Sequence, residues 1–402
     1  MLLKDMASKL RKETSGNFMD SLCDDIKGML SLYEATYLGF EGEKTINEAR
    51  AFTAKFLEDY LEGDKDETNP ILKQQVIHSL ELPRHWRVTR IESYWYMNIY
   101  ERQGDVNPTL LELAKLDFNL VQSTHQTDIR KMSREALTMV NCFITTIDDT
   151  HDVYGSMDEL ILFTDAINRW ELNEMQNLPE YMKILISALF KTTEEIAHKI
   201  LNEKGVDVIS YLKKAWADLC NSYLVEAEWY HSGYMPSFDE YMNNAWLSIS
   251  SPLIMVHTYF YVTEDITNEA LDSLKNYNGI IRRSSIVFRL LDDLVTSKHE
   301  LERGDVPKAI ECYMLERGVS EEVAIEHVRG LISEGWKKMN EEHAVPSQFD
   351  REFIEACINT TRMAQCIYQY GDGHGCPEQY GTTNRILSSL VQPIPLNLAH
   401  KK

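Results

Sequence analysis

Two acidic segments of this 402-residue chain have the residue types and spacing of a divalent-metal site. In the first segment, Asp148 and Asp152 are four residues apart, with Asp149 between them, and would share one face of a helix. Two carboxylates beside an apolar helix face repel each other unless a cation lies between them. The alternative is a solvated helix end with clustered acids, and the spacing alone does not decide between the two.

The second segment begins 144 residues later and combines two carboxylates with a hydroxyl. Asp292, Thr296 and Glu300 follow one another at intervals of four residues, so they would line one stripe of a helix. These side chains are hard oxygen donors of the kind that Mg²⁺ prefers. A threonine is a poor choice for a salt-bridged surface, which favours a metal site over an exposed helix with incidental acids.

Two cations accompany the second segment. Arg289 precedes Asp292 by one helical turn, and Lys308 follows Glu300 by eight residues. An anionic ligand bridged by metal ions needs such counter-charges, although surface salt bridging is the alternative. Together these residues indicate metal-assisted ionisation of a diphosphate, in which Mg²⁺ improves the leaving group and an aromatic wall shields the carbocation.

The elements that would position these residues are long helices. The chain has 18 Gly and 11 Pro, which is about 7% together against about 12% in average proteins. No period-2 strand pattern competes with the helical periodicity. The predicted helices are Leu110–Thr127, Arg134–Ile147, Met157–Arg169, Leu178–Asn202, Val208–His231, Phe238–Thr263, Leu271–Arg303, Pro307–Arg317, Ser320–Asn340 and Asp350–Tyr370. The sequence therefore predicts an all-α protein with a small helical region at 1–115 and a larger one at 116–402.

Charge and cysteine content exclude several classes. A formal net charge of −22 argues against nucleic-acid binding. Seven scattered cysteines without a CxxC pair predict free thiols in a reducing compartment. No apolar run is long enough for a membrane span, and the first residues are too acidic for a transit peptide, so we expect a cytoplasmic protein by default.

The chain resembles the plant terpene synthases, and among them the angiosperm monoterpene synthases. Several motifs in the correct order and spacing make this resemblance specific. They are DDTHDVYGSMDELILFT (148–164), RW (169–170), LPEYMK (178–183), YLKKAWADLCNSYLVEAEWYHSGYMPSFDEY (211–241), NNAWLSISSP (243–252), RLLDDLVTSKHELERGDVPKAIECYM (289–314) and YQYGDGHG (368–375).

This resemblance implies a class I terpenoid synthase helical bundle at 116–402 and a partial N-terminal α-barrel domain at 1–115. It implies three Mg²⁺ ions, with Mn²⁺ as an alternative. The implied metal ligands are Asp148, Asp152, Asp292, Thr296 and Glu300. Asp149 matches the supporting acid of the first motif.

The resemblance also implies how the substrate is held. The residues expected to bind the diphosphate, directly or through metal ions, are Arg289, Lys308, Asp148 and Asp152. Tyr370 and Asp372 match the loop that closes over the site and, with Asp149, are expected to act in catalysis. A helix break in Trp246–Pro252 matches the carbonyl-lined kink beneath the substrate, although relatives commonly have Gly where Ser251 lies.

The expected reaction is conversion of geranyl diphosphate to a monoterpene, with farnesyl diphosphate as the alternative substrate. We expect a monomer with no nucleic-acid partner; full-length relatives work in plastids. A chain-elongating prenyltransferase is a second all-α magnesium enzyme. That class usually carries two aspartate-rich motifs, whereas the second motif here contains Thr296.

Two departures from the family pattern predict impaired activity. Family members have a longer N-terminal domain with a transit peptide and a tandem-arginine–tryptophan motif, and this chain starts inside that domain. In addition, several helical turns are missing between the Arg130–Arg134 and Glu135–Val140 segments. In the family that stretch carries an Arg-x-Arg motif that caps the diphosphate and a pocket Trp. We therefore expect an internal deletion near residue 134 and low or no cyclase activity, with a catalytically inactive paralogue as the alternative.

Overall fold

The computed structural model describes residues 25–63, 69–135, 137–171, 177–302, 306–375 and 381–396. Side chains at 129–135, 137 and 298–302 lie outside that description. All regular secondary structure in the described residues is helical, which confirms the all-α prediction for them. None of the described helices is long and apolar enough to cross a membrane.

Seventeen α-helices are present in the described residues. They are α1 (Ile26–Thr36), α2 (Lys44–Glu62), α3 (Pro70–Glu81), α4 (Thr89–Tyr100), α5 (Pro108–Glu135), α6 (Leu137–Asp149), α7 (Met157–Arg169), α8 (Glu180–Lys204), α9 (Ile209–Ser232), α10 (Phe238–Ser248), α11 (Ser251–Val262), α12 (Asn268–Lys275), α13 (Ile280–Glu302), α14 (Ala309–Arg317), α15 (Glu321–Ala344), α16 (Arg351–Tyr368) and α17 (Thr382–Ile386).

The chain divides into two compact units. The first comprises residues 1–126, 336–344 and 376–402, and the second comprises residues 127–335 and 345–375. The domain boundary expected between residues 115 and 116 stays a prediction. All the residues expected at the metal and diphosphate site belong to the second unit.

One hydrophobic core of the first unit forms where α1 and α2 pack against each other and against α3. Met29, Tyr33, Leu57 and Val76 are buried there, at the helical spacing that puts apolar residues on one face. Asn69 caps α3 by accepting a hydrogen bond from the backbone N–H of Leu72 at 3.0 Å, and Pro70 occupies the first turn, where it removes no helical hydrogen bond.

Helix α13 is at the centre of the second unit, where it packs against α10, α11, α14 and α16. Its apolar side, which includes Val287, Leu290 and Leu291, is buried. The single helix predicted over Leu271–Arg303 is wrong, because α12 ends at Lys275 and α13 begins at Ile280. Tyr277 and Gly279 between them have φ of 51° and 58°, a left-handed conformation that an α-helix cannot contain.

Helix α5 also differs from the prediction. The chain continues as one helix to Glu135, whereas the sequence predicts separate helices over Leu110–Thr127 and Arg134–Ile147. Residues 128–135 contain neither Gly nor Pro, so nothing in this stretch stops a helix. Helix α6, which carries the first acidic segment, begins at Leu137.

The helix break that the family resemblance implies in Trp246–Pro252 is confirmed, and the single helix predicted over Phe238–Thr263 is wrong. Helix α10 ends at Ser248, and α11 begins at Ser251 with Pro252 in its first turn. The left-handed residue of this break is Ser250, with a φ of 62°, rather than Ser251. A left-handed conformation costs a non-glycine residue about 1–2 kcal/mol, so the packing around it must hold this kink in place.

Candidate active site

The first acidic segment lies where α6 passes into a π-helical turn, Thr150–Tyr154. The backbone N–H of Gly155 donates to the carbonyl of Thr150 at 2.8 Å, which closes this wider turn. Asp148 lies in the last turn of α6 and is half-buried, whereas Asp152 lies within the π-helical turn and is exposed. A π-helical turn inserted at the end of an α-helix is frequently associated with a functional site.

The carboxyl group of Asp148 has an unusual electrostatic environment. Its pKa is raised to about 6, first by burial and then by the neighbouring carboxylate of Glu226. Lys308 and a hydrogen bond from the Tyr223 side chain lower the pKa, but less than burial raises it. Holding a carboxyl group beside another acid is unfavourable, and a bound cation would remove this cost.

The second acidic segment lies on the buried side of α13. The side chains of Arg289, Asp292 and Thr296 form a stripe with residue exposures of 7%, 8% and 6%. The guanidinium group of Arg289 bonds to Asp292 and to the adjacent Asp293. Burial raises the pKa of Asp292, while Arg289 lowers it. Three polar side chains on a buried helix face are costly unless they are paired or bind a ligand.

Lys308 connects the two acidic segments electrostatically. It is 8% exposed and lies at the N-terminal end of α14. Its ammonium group is close enough to lower the pKa of both Asp148 and Asp292. The fold therefore brings side chains from α6, α13 and the start of α14 into one electrostatic neighbourhood, although 144 residues separate the two aspartates.

Other residues expected at the site are more exposed to solvent than Asp292 and Lys308. Asp149 is exposed, and Tyr370 is 48% exposed. Asp372 is half-buried and accepts hydrogen bonds from the backbone N–H groups of His374 and Gly375 at 3.2 and 2.7 Å, which fixes a turn in this loop. The side chain of Glu300 lies outside the described residues. The roles expected for these four residues stay predictions.

Three residues that the sequence patterns did not single out are next to the site. On α9, Tyr223 lowers the pKa of Asp148 through a hydrogen bond, and the charge of Glu226 raises it. Glu226 also accepts a hydrogen bond from the hydroxyl of Ser248 at 2.6 Å. Asp293 is fully buried beside Arg289. Asp293 was visible as the second acid of an Asp-Asp pair, but the importance of Tyr223 and Glu226 emerges only once α9 is packed against α6 and α10.

Aromatic rings lie beside both acidic segments. Phe143, which precedes Asp148 on α6, packs edge-on against Trp216 with ring centroids 6.2 Å apart. Phe288, which precedes Arg289, lies 6.3 Å from the ring of Tyr368, whose side chain bonds to Asp292. Aromatic faces stabilise cations by their quadrupoles, so these rings could shield a positively charged intermediate.

The donor set suits a hard divalent cation that keeps part of its own hydration shell. In the part of the chain that the structure describes, no group of three or more His, Cys, Asp or Glu side chains is close enough to enclose a metal ion. Mg²⁺ is usually held by one or two carboxylates and completes its octahedron with water and phosphate oxygens. The buried hydroxyl of Thr296 and the raised pKa of Asp148 fit this mode of binding, in which a ligand supplies the missing oxygens.

A separate cavity of about 700 Å³ lies between α4 and α5 in the first unit. Its lining is mixed in character and includes Arg84, Arg90, Tyr96, Asp117, Phe118 and His125. None of the residues expected at the metal or diphosphate site lines it, so this cavity is distinct from the candidate active site.

Two domain families match the sequence. Residues 121–338 match the family described as "Terpene synthase family, metal binding domain". Residues 5–80 match "Terpene synthase, N-terminal domain". The first match spans both acidic segments and both buried cations.

Curated relatives are identical to this chain at about half of the aligned positions. It is 50% identical to a (−)-alpha-terpineol synthase from Vitis vinifera, over 98% of this chain and 72% of the relative. It is also 50% identical to a chloroplastic myrcene synthase from Quercus ilex, over 96% of this chain and 70% of the relative.

The alignment with the Vitis vinifera protein is longer than the matched part of this chain. It covers 431 residues, whereas 98% of 402 residues is about 394, so about 37 positions have no counterpart in this chain. This difference is consistent with the internal deletion expected from the sequence.

Solved structures agree with the sequence matches. An isoprene synthase from grey poplar (Populus x canescens), in complex with three Mg²⁺ ions and dimethylallyl-S-thiolodiphosphate, is 39% identical with a TM-score of 0.89, over 98% of this chain and 84% of the other. A limonene synthase with 2-fluorolinalyl diphosphate is 37% identical with a TM-score of 0.90, over 98% and 80% of the two chains. A metal-binding domain matched over more than half of the chain, relatives at 50% identity and a shared helical fold lead to one conclusion: the chain belongs to the terpene synthase family.

Proposed function

We propose that this protein is a carbon–oxygen lyase that ionises geranyl diphosphate, releases diphosphate and forms a monoterpene. The observation that carries the proposal is the position of Lys308, which is 8% exposed at the start of α14 and whose charge lowers the pKa of both Asp148 and Asp292. With Arg289 it gives the site two buried positive charges among carboxylates, which is the arrangement that a metal-bridged diphosphate requires. Residues 116–402 would form the catalytic domain.

The proposed work of the chain's own residues is binding, orientation and shielding. Arg289 and Lys308 would hold the diphosphate oxygens. The oxygen donors proposed to hold Mg²⁺ are Asp148, Asp152, Asp292, Thr296 and Glu300. When bound, Mg²⁺ neutralises negative charge on the leaving group. The C1–O bond would break with its electron pair passing to the diphosphate, and the rings around Phe143 and Phe288 would stabilise the allylic cation until the released diphosphate accepts a proton from it.

The C10 substrate is proposed because the relatives at 50% identity are named for monoterpenes. The choice between the C10 and C15 substrates is tested by incubating the purified chain separately with geranyl and farnesyl diphosphate. Diphosphate release is measured with and without Mg²⁺. Faster Mg²⁺-dependent release from geranyl diphosphate is expected. Faster release from farnesyl diphosphate would identify a sesquiterpene synthase instead.

The raised pKa of Asp148 predicts how Mg²⁺ affinity depends on pH. Below a pKa of about 6 this carboxyl is protonated, so a metal ion must displace the proton before it binds. We expect the affinity for Mg²⁺ alone to be nearly constant from pH 8 to 7 and to fall by up to about tenfold for each pH unit below 6. Calorimetric titration at several pH values measures this. An unchanged affinity between pH 7 and 5 would contradict the role of Asp148 as a ligand.

A slowed enzyme is a second candidate, because about 37 alignment positions of the Vitis vinifera relative lack a counterpart here. If these positions include diphosphate-binding arginines, the leaving group has lost part of its stabilisation. Removing one donor to a developing anion commonly lowers kcat by about 10²–10³-fold. We therefore infer that turnover lies well below that of an intact relative.

Restoring the missing residues is expected to raise the turnover number. The segment of the Vitis vinifera protein that aligns with the gap would be inserted between Arg134 and Glu135, and turnover of geranyl diphosphate is expected to rise at least about tenfold. A Gly/Ser insert of the same length is the control, since it restores length without side chains. Equal turnover in both insertion variants, or a parent chain as fast as the relative, would refute the deletion hypothesis.

A further inference from the structure

Asp293 is a fully buried carboxylate that joins three helices of the second unit. One of its oxygens, Oδ1, accepts a hydrogen bond from Nε of Arg289 at 2.7 Å, within α13. The other, Oδ2, accepts from the hydroxyl of Tyr241 on α10 at 2.9 Å and from the backbone N–H of Ala309 on α14 at 3.2 Å. A single side chain is thus bonded to α10, α13 and α14 at once.

Each of these bonds has a physical reason. A buried carboxylate is tolerated only when it is paired and hydrogen-bonded, and Arg289 supplies the opposite charge through two nitrogens, with the second at 2.6 Å. The N–H of Ala309 belongs to the first turn of α14, where backbone donors have no partner inside the helix. An anion at that position is stabilised further by the helix dipole.

The same contacts determine where both cations of the site lie. Because Asp293 bonds to the guanidinium group of Arg289 on one edge, the remaining N–H groups are held in a fixed orientation. Because Asp293 also anchors Ala309, it fixes the start of α14, where Lys308 is the preceding residue. Tyr241 then ties this pair of cations to α10, one of the helices that form the kink at Ser250.

We propose that Asp293 is a positioning residue that sets the geometry of Arg289 and Lys308 for a diphosphate group. The proposal rests on the proposed function only in taking diphosphate as the ligand. A purely structural ion pair is the alternative, in which the carboxylate contributes to stability and the cations need no precise placement. The two explanations differ in what happens to anion affinity when the fold is intact.

Asp218 provides a matched control in the same unit. It accepts a hydrogen bond from the hydroxyl of Tyr277 at 2.7 Å and pairs with Lys214, four residues earlier on α9. Asp293 likewise bonds to a tyrosine hydroxyl and to a cation four residues earlier. Replacing either aspartate by asparagine therefore removes the same kind of charge, but only Asp293 holds the cations proposed for the diphosphate.

The test uses the full chain and inorganic pyrophosphate with excess Mg²⁺, measured by calorimetry well below the melting temperature. Loss of a supporting side chain around a metal or anion site typically costs about 10–100-fold in affinity. We expect Asp293→Asn to weaken pyrophosphate binding by about that factor and Asp218→Asn to stay within about twofold of the parent. Because binding needs no turnover, a parent that binds pyrophosphate but forms no terpene contradicts the proposed function and leaves this comparison valid.

Parent-like pyrophosphate affinity in Asp293→Asn would overturn the proposal, and so would an equal loss in Asp218→Asn. If Asp293→Asn does not fold, Tyr241→Phe replaces it, since this variant removes one hydrogen bond to Asp293 and keeps the ring. It is expected to weaken pyrophosphate binding about threefold or more, and an unchanged affinity in a folded Tyr241→Phe protein would refute the positioning role.

Discussion

Replacing Arg289 by alanine is expected to abolish detectable product formation and to destabilise the second unit at the same time. Arg289 is 7% exposed and forms an ion pair with Asp293, which is fully buried. Removing one partner of a buried ion pair leaves an uncompensated charge and costs about 3–5 kcal/mol. For a unit of this size the melting temperature should fall by about 10 °C. If Arg289 binds the diphosphate as proposed, its loss should lower kcat by about 10²–10³-fold in addition.

Two further variants separate the two effects. Arg289→Lys keeps the charge but loses the planar pair of donors, so it should recover part of the stability and little of the activity. Arg169→Ala is the control, because Arg169 forms an exposed pair with Asp165 whose contribution should be at most about 1 kcal/mol. Circular dichroism melting curves and product assays on all three variants make the comparison. A stable, active Arg289→Ala protein would contradict both roles of this residue.

Asp148→Asn is expected to lose activity while the metal-free protein becomes more stable. The folded-state pKa of about 6 lies above the usual aspartate value, so the charged form of Asp148 destabilises the fold above pH 6. Asparagine removes that charge. We therefore expect the free energy of unfolding to rise by about 1–2 kcal/mol at pH 7, and this gain to disappear as the pH falls from about 6 to 4. Loss of Asp148 as the proposed metal ligand should lower turnover by about 10²-fold or more.

This opposite change in stability and activity distinguishes a ligand from a structural carboxylate. Functional residues commonly reduce the stability of the protein that carries them. Asp165→Asn is the matched control, since Asp165 belongs to a surface pair and should change neither quantity by much. Thermal melts with and without Mg²⁺ provide the readout. A metal-free Asp148→Asn protein that melts below the parent would show that Asp148 stabilises the fold instead.

The helical architecture was predictable from the sequence because it depends on periodic apolar residues and few breakers. The kink in Trp246–Pro252 was placed only through the family resemblance, because the apolar periodicity runs across it and predicted one helix over Phe238–Thr263. The break between Lys275 and Ile280 was missed because the apolar periodicity continues across it, although Asn278-Gly279 is a turn signal. Two helices were predicted over residues 110–147 and two are present in this part of the chain, but the predicted end of the first at Thr127 was wrong, because residues 128–135 contain no Gly or Pro and α5 continues to Glu135.

The candidate site was predictable only in part. The regular spacing of Asp292 and Thr296 on one helix face indicated a stripe, and both side chains are buried on α13. Glu226 raises the pKa of Asp148 because α9 packs beside the end of α6 and the π-helical turn. Local sequence patterns do not reveal this tertiary packing. Asp293 was part of a visible motif, but its bond to the N-terminus of α14 is a tertiary contact.

The central claim is tested most directly by identifying the products that the purified chain forms from geranyl diphosphate. The reaction is run with Mg²⁺ or with a chelator, and the products are analysed by gas chromatography–mass spectrometry. We expect a monoterpene that forms slowly with Mg²⁺, is absent with the chelator and is absent in Asp148→Asn under both conditions. A folded protein that binds Mg²⁺ and pyrophosphate but yields no terpene from either geranyl or farnesyl diphosphate would contradict the proposed function.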